Sequence, residues 1–464
     1  FVELLLIRWI PANVVYVGFF NNFLLISSFL GIGVGILLGR NGFRLPVPAG
    51  AFLLLVVGTV QRARFDARLL SDPEFFFGYG EVRQVEVDPV LLPLTFIATA
   101  ATMAVLALPL GPLLRSMPPL RAYAIDIGGS LAGIAAFATL SALSTPPLLW
   151  FAVVAALLAL RTIADGIDRR AVLGGVVMVG VLALAIQMHR PADVWSPYYR
   201  ISLARGVADT EFLAVNGIPH QAMWRVATEI KEPLYEQVYR WFPGRTFRDV
   251  LIVGAGTGTD TAVALARGAE RVDAVEIDPR IMSIGVERHP DRPYDDARVR
   301  RYVDDGRAFL RNTDRRYDLI VFAQTDSLSL VSSTANLRLE SFLFTEEAFA
   351  SARDHLSPDG AFVLYNQYRQ AWLVERIAHG LERAFGLRPL LTSYSLGGEV
   401  NFAVFAAGPM VTALRGGPPP GDTGGYRVLS SGVEPSTDDW PFMYLRDRRL
   451  PDRYVVPLLG LLLA

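Results

Sequence analysis

The order of hydrophobic and polar positions divides this chain into two parts of different character at about residue 190. The first part contains six apolar runs separated by short polar loops, near 14–39, 47–60, 89–111, 122–143, 146–161 and 171–188. A helix needs about 20 apolar residues to cross a bilayer, so four of the runs are long enough and the second and fifth are short. Residues 1–190 therefore predict a transmembrane domain of about six helices.

Few polar groups interrupt these runs. Asp126 lies within one of the runs, Glu3 and Arg8 stand at the very start of the chain, and a proton or ion path needs more buried polar groups than these. A membrane transport component with a regulatory domain is therefore the weakest of the functions considered. In GGSLAG, Gly129 and Gly133 stand four residues apart, and this spacing predicts the close approach of a neighbouring helix.

After Arg190 the hydrophobic period shortens to that of β-strands. The segments YYRISLARG and EFLAVNGIPHQAM alternate between apolar and polar positions, and Asn216-Gly217 within the second segment is a strong hairpin turn signal. Residues 191–225 therefore predict a β-hairpin subdomain.

Residues 226–410 alternate between strand and helix patterns. Each strand pattern is followed by a helix pattern in turn: DVLIVGAG and TAVALARG, RVDAVEID and PRIMSIGVERH, VRRYVDDG and RAFLRN, YDLIVF and TEEAFASARDHL, GAFVLYNQY and WLVERIAHGLERAF. This order predicts a doubly wound parallel sheet of the Rossmann type, with LLTSYS and NFAVFAAG as its last strands.

The remaining residues predict a connection rather than a domain. Residues 411–453 begin with a Pro/Gly linker and contain TDDWPFMY, which we interpret either as an aromatic lid over a pocket or as a turn that tethers the α/β domain. Residues 454–464 read as the start of a further transmembrane helix, so we expect the natural chain to continue past Ala464.

Composition narrows the possible functions. The chain of 464 residues is 52% hydrophobic with a mean hydropathy of +0.33, which agrees with a membrane-embedded part. Its net charge of −1 gives no indication of a basic surface for binding nucleic acid. Cysteine is absent and the five histidines lack ligand spacing, so no metal site is predicted.

The most informative motif is DVLIVGAGTGTD followed by AVEID. Gly254, Gly256 and Gly258 let the backbone turn tightly after a strand and approach a ligand, and Glu276 closes the next strand, where an acidic side chain can bind both ribose hydroxyls. Asp305-Gly306 ends the third strand, at the position where S-adenosylmethionine-type folds hold the adenine amino group. These residues predict an adenosyl site. NAD or FAD is the weaker reading, because a threonine occupies position 259 where a dinucleotide fingerprint has glycine.

These motifs resemble the spermidine synthase (polyamine aminopropyltransferase) family over about Trp195 to Ala407, and the helical part resembles its membrane-embedded members. SPYYR, VNGIPHQ, LYEQ, VEIDP, DDG and TSYSLGG are similar to family segments. The resemblance implies an α-helical membrane domain followed by an α/β Rossmann-like domain of the S-adenosylmethionine methyltransferase or spermidine synthase type. It implies S-adenosylmethionine or its decarboxylated form as cofactor, and Tyr235 and Tyr394 as residues beside an amine substrate.

The chain departs from the family at two carboxylates. The family loop GGGDG holds the donor's aminopropyl amine through its aspartate, and this sequence has Thr257 there. The family strand end DSSDP helps to deprotonate the attacking amine, and here Ala323 replaces its first aspartate, which leaves Asp326 as the lone base or amine anchor. Asp260 is a weaker candidate to replace the loop carboxylate. We therefore expect little or no synthesis of spermidine from putrescine.

Two functions remain besides transport. One is a membrane-anchored transferase that moves a methyl or aminopropyl group to a small-molecule amine or a lipid-like acceptor. The other is a catalytically degenerate nucleoside-binding or scaffold subunit of a membrane assembly, and a homo-oligomer or membrane complex is compatible with either.

Two considerations about the orientation of the α/β domain in the membrane oppose each other. If all six runs span, the loop arginines favour an outside location for the α/β domain by the positive-inside rule. Adenosyl cofactors, however, are made in the cytoplasm and do not cross bilayers freely. We therefore expect a multi-pass protein of the bacterial inner (plasma) membrane, with its α/β domain in the cytoplasm.

Overall fold

The computed structural model has an N-terminal helical domain followed by an α/β domain. It describes residues 1–14, 17, 21–43, 50–63, 90–165, 169–205, 210–226, 233–324, 339–368, 371–396, 400–413 and 432–448.

The described part of the helical domain contains eight helices. They are α1 (Val2–Asn13), α2 (Asn21–Arg40), α3 (Gly50–Ala63), α4 (Leu91–Ala107), α5 (Leu110–Arg115), α6 (Pro119–Ala142), α7 (Pro147–Asp165) and α8 (Arg169–Met188). Four stretches are long and apolar enough to cross a membrane, namely Asn22–Arg40, Leu91–Arg115, Pro119–Ala142 and Pro147–Ala164. The run predicted to be short at 146–161 is thus one of the long ones, because its helix continues to Asp165.

Helices α2 and α4 pack closely through a row of glycines. A Cβ atom added at Gly31, Gly35 or Gly39 would collide with a backbone carbonyl oxygen of α4 or of the residue after it. By contrast, Gly129 has no atom near its Cβ position among the described residues, and Gly133 meets Phe1. Of these two glycines, Gly133 is the one that lies against another described residue. The four-residue spacing that brings two helices together lies in GIGVGILLG of α2.

This packing predicts the effect of one added methyl group. We expect Gly35→Ala to lower the unfolding midpoint of the detergent-solubilised protein, because the methyl group must push α4 away, at a cost of about 1 to 3 kcal/mol. Gly33→Ala is the matched control on the same helix, since nothing lies within 4 Å of its Cβ position. Circular dichroism melting curves compare the two. Equal midpoints for both variants would show that the α2 and α4 contact is not tight.

A four-stranded antiparallel sheet connects the two domains. Its strands pair in chain order: β1 (Val194–Trp195), β2 (Arg200–Arg205), β3 (Glu211–Val215) and β4 (Ile218–Met223). The turn between β3 and β4 has φ of 50° at Asn216 and 85° at Gly217. Two successive positive φ values are what a tight two-residue hairpin requires.

The α/β domain is built on a seven-stranded mixed sheet. Its strands are β5 (Asp249–Val253), β6 (Arg271–Glu276), β7 (Val299–Val303), β8 (Tyr317–Ala323), β9 (Leu356–Gln367), β10 (Leu390–Leu396) and β11 (Val400–Ala407), in the order β10-β11-β9-β8-β5-β6-β7. Strands β5 to β9 are mutually parallel, as predicted. The last two strands differ, because β10 and β11 form an antiparallel hairpin at one edge.

Helices cover both faces of this sheet. The described helices include α9 (Gln237–Trp241), α10 (Thr259–Ala266), α11 (Pro279–Arg288), α12 (Gly306–Asn312), α13 (Glu346–Asp354), α14 (Ala371–Phe385) and α15 (Pro409–Thr412). Along β5, Val250 and Ile252 pack into the core on one face, and Leu251 and Val253 pack into the core on the other. The continuous apolar run DVLIV is typical of a strand buried on both faces.

A buried arginine holds the segment 432–448 against α14. Arg376 is 1% exposed and donates hydrogen bonds to five backbone carbonyl oxygens of this segment. Its guanidinium also lies 5.0 Å from the ring centroids of Trp372 and Trp440. A second tie is Asp438, whose carboxylate accepts hydrogen bonds from Arg307 and from the Thr345 hydroxyl.

Candidate functional site

A pocket lies where the parallel strands end. It is lined by residues that follow β5, β6, β7 and β8 at their carboxyl ends, and by residues of the hairpin β3 to β4. The chain runs from β5 to β6 on one side and reaches β8 on the other, so the pocket sits at the point where the strand order reverses. Open α/β sheets bind ligands at this point.

The glycine loop after β5 forms the floor of the pocket. Gly254, Gly256 and Gly258 have φ of 77°, 56° and 107°, which only glycine adopts without strain. Gly254 and Gly256 line the pocket, whereas Gly258 is not among its lining residues and begins α10 instead. The Tyr294 hydroxyl donates to the carbonyl oxygens of Ala255 and Gly256, at 3.0 and 2.8 Å, and fixes the loop from behind.

Glu276 closes β6 and reaches the floor of the pocket. One carboxylate oxygen accepts from the Gly256 N–H and the other from the Asp278 N–H, each at 2.9 Å. Burial raises the pKa of Glu276 to about 7, although these N–H donors oppose the rise. The side chain is therefore held in a fixed position but is only partly ionised near neutral pH.

Asp305 and Gly306 line the same pocket, one strand farther along the sheet. One Asp305 oxygen accepts from the N–H groups of Arg307 and Ala308, at 3.1 and 2.9 Å, so this residue is the N-cap of α12. A Cβ atom at Gly306 would collide with Val253. Glycine therefore lets α12 begin close against β5.

The pocket is also lined by Tyr235, Asp260, Ala323 and Gln324. The Tyr365 hydroxyl donates to the Asp260 carboxylate, and the rings of Tyr235 and Tyr365 meet edge to face at 6.0 Å. Gln324 has φ of 44°, a left-handed conformation that is uncommon outside glycine and is often found at functional sites.

The side chains of two predicted residues lie outside the part of the chain that the structure describes. Asp326 lies outside the described residues, as do 454–464. For Tyr394 the structure gives the backbone, which pairs with Phe402 in the edge hairpin of the sheet. None of the described residues in 432–448 lines the pocket.

Sequence reasoning missed two residues of the hairpin. His220 and Gln221 both line the pocket, and burial lowers the pKa of His220 to about 4, so its ring is neutral at pH 7. Gln221 accepts from the backbone N–H and the hydroxyl of Thr257, at 2.9 and 3.0 Å. Thr257 is fully buried, and its hydroxyl is therefore directed to the protein. The segment VNGIPHQ, which resembles a family segment, was the sequence feature that could have indicated both residues.

The charges that line the pocket are of one sign. They belong to Asp260, Glu276, Asp304 and Asp305, and no arginine or lysine lines the pocket within the described ranges. Such a pocket favours a cationic ligand.

The fold and the pocket define an α/β domain with an acidic pocket at the carboxyl ends of its parallel strands, carried behind helices long enough to cross a membrane. Residues 241–387 match the spermine/spermidine synthase domain family. Over 195 residues the chain is 28% identical to the polyamine aminopropyltransferase of Clostridium perfringens, which covers 41% of this chain and 62% of that protein. It is 24% identical over 178 residues to the polyamine aminopropyltransferase of Buchnera aphidicola, covering 37% of this chain and 57% of that protein.

The chain is similar to spermidine synthases, and the match lies in its α/β domain. It spans less than two thirds of the length of these relatives. Among solved structures it is similar to spermidine synthase from Thermotoga maritima, with 18% identity, a TM-score of 0.36, and coverage of 57% of this chain and 85% of that one.

Proposed function

We propose that this protein is a membrane-anchored transferase that binds a sulfonium nucleoside of the S-adenosylmethionine type and moves an alkyl group to an amine or a lipid-like acceptor. The observation that carries the proposal is the convergence of Glu276, Asp305 and the glycine loop on one acidic pocket. Glu276 binds the ribose hydroxyls and Asp305 the adenine amino group.

The charge of the pocket favours decarboxylated S-adenosylmethionine as the donor. The decarboxylated form carries two positive charges, on sulfur and on the terminal amine. Intact S-adenosylmethionine also carries a carboxylate, which the four acidic side chains of the pocket repel. Aminopropyl transfer is therefore favoured over methyl transfer.

Asp260 takes the place of the loop carboxylate that this chain lacks. Thr257 turns away toward Gln221, whereas Asp260, in the first turn of α10, lines the pocket beside Tyr235. Its carboxylate is oriented by the Tyr365 hydroxyl, and a charge-assisted hydrogen bond to an ammonium group is stronger than a neutral one. Asp260 therefore holds the terminal amine of the donor.

The part of the pocket proposed to receive the acceptor lacks one of the two aspartates that the family strand end DSSDP has. Ala323 lines the pocket at the end of β8 and brings no proton acceptor there. General-base loss typically lowers a rate by about 10² to 10⁴, so Asp326 is proposed as the remaining base or amine anchor, with Tyr394 beside the acceptor.

The anchoring and the location are part of the same proposal. The four apolar stretches hold the protein in the inner membrane, and the α/β domain faces the cytoplasm, where adenosyl donors are made. Protease access to the segment after Arg190 in sealed vesicles tests the orientation.

Donor titrations test the role of Asp260. We expect isothermal titration to show that the decarboxylated donor binds about tenfold more tightly than S-adenosylmethionine, and that Asp260→Asn removes most of this preference, since a charged hydrogen bond is worth about 1.5 to 3 kcal/mol. Asp359→Asn is the control, because that carboxylate is 81% exposed. An unchanged preference in Asp260→Asn would place the amine elsewhere.

Turnover distinguishes a transferase from a binding subunit. Release of methylthioadenosine is followed with the decarboxylated donor and putrescine, beside a spermidine synthase. We expect a rate lower by about 10²-fold or more, because Ala323 brings no base. A rate within about tenfold of the control enzyme would contradict the loss of the base. Tight nucleoside binding without turnover on any amine or lipid amine would support the degenerate binding subunit instead.

A further inference from the structure

A chain of hydrogen bonds connects the first apolar helix to the floor of the pocket. It begins at Arg8 of α1 and passes through Ser196 and Asp278 to Glu276. Each of these residues lies within the described structure, and the first and last are separated by 268 positions in the chain. The contact therefore joins the helical domain to the candidate ribose-binding carboxylate.

Arg8 holds the start of the α/β domain. Its two terminal nitrogens donate to the carbonyl oxygens of Ser196 and Pro197. Its guanidinium lies 5.5 Å from the ring centroid of Trp150, and Trp150 packs edge to face on Trp195 at 5.2 Å. The arginine is thus oriented from both sides and fixes the backbone at 196–197.

Ser196, whose backbone Arg8 holds, in turn fixes the side chain of Asp278. Its hydroxyl donates to one oxygen of the Asp278 carboxylate and accepts from the N–H groups of Tyr198 and Tyr199, at 3.1 and 2.8 Å. The other Asp278 oxygen caps α11 by accepting from the N–H of Arg280 at 2.8 Å. Both Ser196 and Asp278 are fully buried, so water does not compete for these bonds.

The last bond fixes the carboxylate of Glu276. The Asp278 N–H donates to one oxygen at 2.9 Å while the Gly256 N–H donates to the other. The position of Asp278 therefore sets the rotation of the Glu276 carboxylate, and with it the direction of the remaining lone pairs toward a ribose.

We infer that Arg8 is a positioning residue for the nucleoside pocket, which it orders through Ser196 and Asp278. The inference rests on the proposed role of Glu276 as the ribose ligand. It makes the helical domain part of the binding apparatus as well as an anchor.

A neighbouring contact supplies a matched control. Asn13, also on α1, accepts from Arg200 at 2.7 Å, and both residues are buried at the same interface. This bond ties the two domains together but is not a member of the chain that ends at Glu276. Removing it weakens the interface without touching the pocket.

The experiment measures how much the ribose hydroxyls contribute to binding. Adenosine and 2′,3′-dideoxyadenosine are titrated into the full chain in detergent, and the ratio of their dissociation constants is compared between variants. We expect a ratio of about 100 or more in the parent protein, because both ribose hydroxyls donate to one carboxylate. The ratio should fall to about 3 in Arg8→Met and in Ser196→Ala, recover in part in Arg8→Lys, and stay unchanged in Asn13→Ala.

The outcomes separate this inference from the proposed function. Failure of the parent protein to bind adenosine would overturn both. Binding with a ratio that is equal in the parent, Arg8→Met and Ser196→Ala would overturn only the role of Arg8. Because Ser196→Ala keeps the buried cation, it gives the answer even where Arg8→Met does not fold.

Discussion

Glu276→Gln is expected to weaken the binding of methylthioadenosine by about a hundredfold at pH 8, because hydrogen bonds from two ribose hydroxyls to a carboxylate are each worth about 1.5 to 3 kcal/mol. An amide has one acceptor oxygen, and its NH₂ group would face the N–H donor of Gly256 or Asp278. Isothermal titration measures the loss. Glu287→Gln on α11 is the control, since that side chain is exposed. Affinity unchanged within about twofold would exclude Glu276 as the ribose ligand.

The pH dependence follows from the same residue. Burial raises the pKa of Glu276 to about 7, and the ionised form is the better acceptor. Affinity is therefore expected to rise with pH up to about 7 and to level off above it, whereas in Glu276→Gln it should be flat. The free energy of unfolding changes with pH in the opposite direction to the affinity, because the folded state binds a proton at Glu276 more tightly than the unfolded chain does. The stability of the empty protein falls as pH rises from about 4.5 to about 7 through this group.

Arg376→Leu is expected to destabilise the α/β domain by about 3 to 5 kcal/mol, because it leaves several backbone carbonyl oxygens without a donor and each unpaired buried polar group costs about 1 kcal/mol or more. Five carbonyl oxygens of the segment 432–448 lose their donor, and the two tryptophan rings lose the guanidinium between them. Arg376→Lys should not restore stability, since an ammonium has three donors without the fork geometry.

Denaturant unfolding and limited proteolysis of the purified protein measure this change. Cleavage within 432–448 should become faster in Arg376→Leu before the domain unfolds as a whole. Arg383→Leu is the matched control on the same helix, because Arg383 is half exposed and pairs with Glu346 and Glu434 at the surface. Equal stability of the two leucine variants would show that the buried carbonyls find other donors.

Strands and turns were predictable from the sequence where a single local pattern, such as an apolar run or an Asn-Gly pair, specifies the element. The run DVLIV forms a strand as predicted, and Asn216-Gly217 forms the predicted turn. The antiparallel direction of the last two strands was not predictable, because the strand pattern of LLTSYS and NFAVFAAG is the same for either direction. Helix α1 was missed because Glu3 and Arg8 interrupt its apolar pattern.

The candidate site was predictable where it follows the strand ends. Glu276 and Asp305 end neighbouring parallel strands, so their meeting in one pocket follows from the fold. Gln221 and Tyr294 hold the glycine loop from the hairpin and from beyond α11, and only the tertiary structure brings them there. The same is true of Asp260, whose exposure to the pocket depends on the start of α10.

The contacts between α1 and the hairpin sheet also set how an acceptor can be found. Arg200 and Asn13, with Trp150 and Trp195, fix the α/β domain against the helices, so the pocket does not sweep a volume as a domain on a loose linker would. For an acceptor that stays in the bilayer, encounter becomes a two-dimensional search. Its rate would then depend on the mole fraction of acceptor in the membrane, and would fall on surface dilution with inert lipid even when the bulk concentration is constant.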